Sequence, residues 1–497
     1  MSGEIGLFQI QQFLLKEQNR ELPLAEIKSI CEKFSSCADK TYLNLEDFEA
    51  ALTSEMNTAF EPSKIYNYQD MTHPMSHYWI SSSHNTYLVG DQLKSESSTE
   101  MYITALREGY RCLEIDIWDG VTGEPIVYHG RTLTSKILFK DVIQVIAQHA
   151  FTCNPYPVIL SLENHCSIPQ QQKMAKYMRE LFGDLLQLPL NPSKYPQMPS
   201  PEDLKCKILL KGSVEDISPE EEEEEENDKN DKNDKNEKGE KRAFKIAPEL
   251  TEIIFFRSQK FDANRPKEEM NPFAMSSFNE SKANSFSAKQ NSFFINYNVN
   301  QMSRICKPPL ISITSLFPLL TPPTQTPSPV FNLLLSDFSL LLSLNKKDPA
   351  GTRFDSSNYD PMPMWNAGCQ MVALNIQTKK IPIWLNQAKF SENGSTGWLL
   401  KPEYMRNLDT PPTPGRISKL KVTVIDANLL DNSFFPILNP LVTLQILGHA
   451  EDQKVFETTP NSFVLPLFHP FLFKSFFVVK REQCTQAGME RNFRVSS

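Results

Sequence analysis

The chain has 497 residues, enough for several domains, one of them a complete (β/α) barrel. A net charge of −9 excludes a general grip on nucleic acid or on an anionic membrane, so any membrane contact has to be local or come from an orienting domain. Nine cysteines without a CxxC pair argue against a zinc site or a disulfide framework and fit reduced thiols in the cytosol.

Residues 1–11 have no basic region and no long apolar core, so no signal peptide is expected. Residues 330–344 and 463–479 are apolar. The first run carries Asp337; the second is broken by Pro466, His469, Pro470 and Lys474. Neither is a clean run of about 20 apolar residues, so no membrane span is expected and the chain reads as soluble.

Residues 1–70 read as helical. Phe8, Ile10, Phe13 and Leu14, and then Ile27, Ile30, Cys31 and Phe34, recur at helical spacing. Residues 44–52 read as the first helix of a helix–loop–helix pair. The loop at 35–41 offers only Asp39, so a structural hairpin is expected there rather than a calcium loop.

From Met71 the pattern becomes strand–helix alternation. Ser97-Ser98-Thr99-Glu100 reads as a capping box, and residues 140–150 and 169–186 read as helices between apolar runs. The polar groups of interest stand at the carboxyl ends of those runs: His84 and Asn85, Glu114 and Asp116, His129, Glu163, and Lys211. That placement is the habit of (β/α)-barrel active sites. Period two sets Leu113, Ile115 and Ile117 on one face of a strand, with Glu114, Asp116 and Trp118 on the other. Two inward carboxylates repel unless a cation stands between them; a wet antiparallel strand is the alternative. Three carboxylates and an amide suit a hard cation, and two histidines beside them suit proton transfer.

Residues 214–243, with an acidic run at 220–226 and Asn-Asp-Lys repeats, read as a disordered linker. Folding resumes near Phe244, with strands expected at 275–278 and 370–375. Residues 307–344, rich in proline, serine and leucine, have no steady period and fit no barrel element. Strand runs at 420–426 and 441–446 make residues 415–463 part of a β-sandwich, followed by an atypical phenylalanine-rich tail at 464–497 without clear alternation.

Four strings carry a resemblance: Ser81-Ser82-Ser83-His84-Asn85-Thr86-Tyr87, Cys112-Leu113-Glu114-Ile115-Asp116-Ile117-Trp118-Asp119-Gly120, Tyr128-His129-Gly130 and Ile159-Leu160-Ser161-Leu162-Glu163-Asn164-His165. They closely resemble the X half of eukaryotic phosphoinositide-specific phospholipase C. Phe354-Asp355-Ser356-Ser357-Asn358-Tyr359 and Met364-Trp365-Asn366 resemble its Y half. The resemblance implies a multidomain α/β chain. EF-hand-like helices (1–70) precede a split (β/α)8 TIM-like barrel, with an X half at 71–213 and a Y half at 244–405 interrupted by an insert at 306–348. A partial C2 sandwich (415–463) follows.

It also implies roles for matching positions. Asn85, Glu114, Asp116 and Glu163 match calcium ligands. His84 matches the histidine that stabilises phosphoryl charge, and His129 the acid–base histidine on the leaving side. Lys211, Ser277 and Arg304 match groups that hold the 4- and 5-phosphates of the inositol ring, while His165 and Asp119 are expected to be structural. The implied reaction is calcium-dependent hydrolysis of phosphatidylinositol 4,5-bisphosphate by a monomer that is cytoplasmic and peripheral at membranes, or nuclear, with no nucleic-acid partner. A catalytically impaired phosphoinositide-binding scaffold is the alternative.

Because the sequence begins within the helical region, it is most similar to the zeta, sperm-type form, which implies a role in egg activation. A truncated delta form is the runner-up, favoured by the acidic linker. Three departures stand out. Ser213 replaces a second phosphate-binding lysine. Arg304-Ile305 is followed by Cys306 where the family pattern has a tyrosine that packs on the ring. The sandwich pattern also ends near Asn461. The insert is expected to loosen Arg304 and weaken substrate affinity.

Overall fold

The computed structural model describes residues 5–16, 21–36, 40–54, 66–215, 245–266, 270–289, 291–306 and 355–410, together with three strands nearer the C-terminus. The acidic linker, most of the insert and the strand expected at 420–426 lie outside the described residues. Contacts divide the chain into two units, residues 69–412 and the two flanks taken together.

In the N-terminal flank, β1 (Ile5–Gly6) pairs antiparallel with β2 (Tyr42–Leu43), and α1 (Leu7–Lys16), α2 (Leu24–Phe34) and α3 (Leu45–Thr53) pack around Ile10, Ile27, Cys31 and Leu43. Asn44 caps α3 in a reciprocal box with Asp47. Asp47 also accepts from the backbone and hydroxyl of Ser36, so this carboxylate serves the helical hairpin.

The central unit is a closed barrel of eight parallel strands: β3 (Tyr78–Ser83), β4 (Cys112–Trp118), β7 (Val158–His165), β8 (Ile208–Gly212), β9 (Phe256–Ser258), β10 (Ala274–Asn279), β11 (Met302–Cys306) and β12 (Met371–Leu374). Four come before the linker and four after it. Closure depends on β3, which pairs with β4 through Ser82 and Cys112 and with β12 from Ile80 to Ser83. β13 (Trp398–Leu400) adds antiparallel to β3, and a hairpin of β5 (Ile126–Val127) and β6 (Ile137–Leu138) adds antiparallel to β4.

Strand parity separates two cores. Leu113, Ile115, Ile117, Val158, Leu160, Ile208 and Leu210 face outward, onto α4 (Glu100–Arg107), α5 (Phe139–His149) and α6 (Ile168–Phe182). Ile80, Cys112, Ile159, Leu209, Phe256, Met275, Met302 and Met371, one from each barrel strand, form the interior floor. The polar residues two and four positions later on the same strand faces stand above that floor.

Three expectations change. The capping box at residues 97–100 does not form: Thr99 takes the cap position without a side-chain bond, and the Ser98 hydroxyl accepts from the Glu100 amide instead. His129 follows the short hairpin strand β5, so it reaches the site from outside the eight barrel strands. The tail is not patternless, because β14 (Pro440–Leu447) pairs antiparallel with β15 (Lys454–Glu457) and parallel with β16 (Phe473–Lys480). No helix among the described residues is long and apolar enough to cross a membrane.

Lys401 is buried at 1 % exposure, its ammonium donating to the carbonyls of Ser76 and Asn298. It has no carboxylate partner among the described residues, and burial lowers its pKa to about 7. The unfolded lysine holds its proton to about 10.4, so between these values the unfolded state binds more protons and stability rises with pH; below about 7 the full penalty applies. Lys401→Met is expected to flatten the rise of Tm between pH 7 and about 10 relative to the parent chain, measured by thermal unfolding in matched buffers.

Candidate active site

β4 and β7 run in register, aligning Glu114 with Ser161 and Asp116 with Glu163. Glu114, Asp116 and Glu163 each bring a carboxylate oxygen within 4.8 Å of the others. Asn85 follows β3 in a left-handed backbone conformation (φ 41°), which lets its amide N–H reach Glu114 Oε2 at 2.8 Å. The side chain of Asn85 donates through Nδ2 to Gln92 Oε1 at 2.7 Å.

The trio is electrostatically strained. Burial and the charges of Glu163 and Glu114 push Asp116 well above the carboxylate range. Glu163 is 56 % exposed; the crowding around its carboxylate pushes it the same way but is outweighed by the His165 imidazole at 3.4 Å and the charges of Lys211 and Arg304, which bring it to about 2. Tyr87 donates to Asp116 Oδ2 at 2.6 Å, whereas Asp116 Oδ1 is buried without a hydrogen-bond partner. An orphaned carboxylate oxygen within an all-oxygen donor set fits a hard divalent cation such as calcium.

Both histidines are oriented through Nδ1. His84 Nδ1 lies 3.0 Å from Asn375 Oδ1, and His129 Nδ1 lies 2.6 Å from the Gln92 carbonyl. The ring of His165 stacks on Trp118 with centroids 4.0 Å apart, closer to the carboxylates than its expected structural role implies. Gly130 is required here, since a Cβ would stand 1.9 Å from the Trp118 ring. Asp119 accepts from the backbone and hydroxyl of Ser167 at the start of α6, a structural use.

The three phosphate-site candidates differ in exposure. Lys211 is half-buried on β8, and Ser277 is exposed on β10, paired in register with Arg304. Arg304 is 2 % exposed, its Nη2 lies 2.8 Å from Glu114 Oε1, a candidate cation ligand, and its Nη1 contacts the Cys306 thiol, which burial pushes up to about 12. Beyond Cys306, the insert expected to loosen it lies outside the described residues. Gln92 escaped notice in the sequence because an isolated glutamine in a turn carries no signal of its own.

Calcium that binds only the folded chain stabilises it by about 2.7 kcal/mol at a hundred times its Kd. Calcium is therefore expected to raise Tm in the parent, and the rise to be lost in Asp116→Asn, measured by scanning calorimetry with and without chelator.

Residues 71–214 match the X domain, and residues 342–404 the Y domain, of phosphatidylinositol-specific phospholipase C. Over 467 residues the chain is 38% identical to the 1-phosphatidylinositol 4,5-bisphosphate phosphodiesterase delta-3-A of Danio rerio, covering 88% of this chain and 54% of that protein. It is 40% identical over 438 residues to the delta-3 enzyme of Mus musculus, covering 84% of this chain and 50% of that one. The crystal structure of S. officinalis PLC21 matches with a TM-score of 0.60 at 32% identity, covering 83% of this chain and 50% of that one. The chain thus spans about half the length of these relatives. Of the eight barrel strands, β3, β4, β7 and β8 lie within the match to the X domain and β12 within the match to the Y domain, so the barrel on either side of the linker is similar to that of phosphatidylinositol-specific phospholipase C.

Proposed function

We propose that this chain is a calcium-dependent phosphodiesterase that cleaves phosphatidylinositol 4,5-bisphosphate at a membrane surface, giving inositol 1,4,5-trisphosphate and diacylglycerol. The observation that carries the reading is the convergence of Glu114, Asp116 and Glu163 within 4.8 Å, beside two histidines each held through Nδ1. The substrate's own 2-hydroxyl can attack the 1-phosphate, so no nucleophilic side chain is needed. Bound calcium supplies a lower pKa for that hydroxyl and neutralises phosphoryl charge. Asn85, Glu114, Asp116 and Glu163 would hold it. Glu114 or Glu163 takes the hydroxyl proton.

Each histidine is held through Nδ1, and Nε2 is the nitrogen proposed to act on substrate. His84 Nε2 meets the phosphoryl oxygens, and His129 Nε2 returns a proton to the departing diacylglycerol oxygen; both donate only as imidazolium. Water then opens the cyclic phosphate. Lys211, Ser277 and Arg304 receive the 4- and 5-phosphates, which requires Arg304 to leave Glu114.

The names of the relatives support a delta-type enzyme. The sperm-type reading, with its role in egg activation, rests on the sequence resemblance alone. A cytoplasmic monomer, peripheral at membranes, remains the proposed setting. Buried, unbridged thiols at Cys31, Cys112, Cys166 and Cys369 suit a reducing compartment. The impaired-scaffold reading is favoured by one observation, the capture of Arg304 by Glu114 and Cys306.

Purified chain is expected to release inositol phosphates from substrate vesicles with calcium and to stop with chelator, with His129→Ala slower by about 10² or more. Release that persists in chelator overturns the calcium reading. Trisphosphate binding without turnover establishes the scaffold instead.

A further inference from the structure

Gln92 lies in none of the barrel strands, yet it touches Asn85, Ser356, Asn375 and His129. It is 2 % exposed. Its Oε1 lies 2.7 Å from Asn85 Nδ2, its Nε2 lies 2.7 Å from Ser356 Oγ and 3.2 Å from Asn375 Oδ1, and its carbonyl lies 2.6 Å from His129 Nδ1. An amide can be turned end for end without changing shape, so such a network has two possible polarities, chosen by whichever member has no choice.

That member is a backbone carbonyl. Ser356 Oγ lies 2.7 Å from the Gly90 oxygen, which can only accept, so the single hydroxyl proton of Ser356 goes there. Towards Gln92, Ser356 must then accept, and the end of Gln92 that faces it is Nε2. Gln377 Nε2 donates to both the same hydroxyl and the same carbonyl, at 3.2 and 3.1 Å. From this point each role follows, with Asn375 Nδ2 left buried without a hydrogen-bond partner. Asn375 meets Gln92 Nε2 with Oδ1, and the same Oδ1 accepts the Nδ1–H of His84. Asn85 meets Gln92 Oε1 with Nδ2, which leaves Oδ1, the only end of the amide able to ligate a hard cation.

Ser356 and Asn375 belong to the half of the barrel after the linker; Asn85, Gln92, His84 and His129 belong to the half before it. Ser356 sits at φ 57°, and two residues on, Asn358 clamps the backbone of Asn375 with bonds of 3.0 and 2.8 Å. We propose that Gln92 is a positioning residue whose amide polarity, set by Ser356 on the Gly90 carbonyl, turns the Asn85 oxygen towards the cation and fixes the proton of His84 on Nδ1. The cation arm rests on the phosphodiesterase reading; the imidazole arm does not.

Two measurements on the purified full chain test it. Calcium affinity by calorimetry is expected to fall by about tenfold in Ser356→Ala, the scale for groups that orient a metal ligand. In Asn85→Asp both ends of the side chain are oxygen, so adding Ser356→Ala should change affinity less than about twofold, a contrast that loss of an oriented ligand predicts and general loosening does not. Equal losses in both backgrounds overturn the proposal. Imidazole nitrogen shifts of neutral His84, by NMR, should report Nδ1–H in the parent and a mixture of tautomers in Ser356→Ala; an unchanged tautomer overturns it as well. If calcium binding follows the expected contrast but no inositol phosphate is released, the phosphodiesterase reading fails while the positioning role stands. If the parent binds no calcium, the cation arm is overturned with that reading, and the His84 tautomer alone decides the role of Gln92.

Discussion

Three carboxylates gathered at the mouth of a low-dielectric barrel repel one another, and most of what surrounds them answers that repulsion. Tyr87 donates to Asp116, the Asn85 amide donates to Glu114, His165 stands beside Glu163, and Arg304 closes on Glu114. Each response moves positive charge or a donor inward. The strands are fixed by their ladders, so the carboxylates cannot separate to relieve the strain. The same constraint accounts for Arg304, expected to face substrate, lying on an acidic side chain.

The barrel's period makes much of this readable from sequence. Glu114 and Asp116 alternate with Leu113, Ile115 and Ile117, which puts both carboxylates on one face, and the parallel ladders of β4 with β3 and β7 make that face the interior one. Glu163 stands four residues after Ile159, and Lys211 two after Leu209, so the polar layer can be counted upward from the apolar one. The eight strands place these residues as their order implies. His84 is equally legible, because it stands one residue past the end of β3.

What the sequence concealed follows from partners far apart in the chain. Gln92 has meaning only through Ser356 and Asn375, more than 260 positions away, and nothing in its own neighbourhood marks it. The Arg304–Glu114 pair spans the two halves in the same way. Local patterns misled in smaller ways. The serines at 97 and 98 promised a capping box, but the Ser97 amide donates to Ser135 instead. The apolar residues before His129 looked like a barrel strand and are half of a hairpin. The phenylalanines after 463 have no alternation, yet part of that segment finds a ladder on β14.

The interior floor is not uniform in material. Beneath His84 and Glu163 lie Ile80 and Ile159, β-branched side chains with few rotamers, and beneath Glu114 and Asp116 lies Cys112; beneath Ser277 and Arg304 lie Met275 and Met302, with Met371 on the adjoining strand. Unbranched thioethers change shape at little cost and keep contact while doing so. Side chains with few rotamers therefore lie under His84 and Glu163 and adaptable ones under Ser277 and Arg304, so a change in side-chain stiffness separates β3 and β7 from β10 and β11.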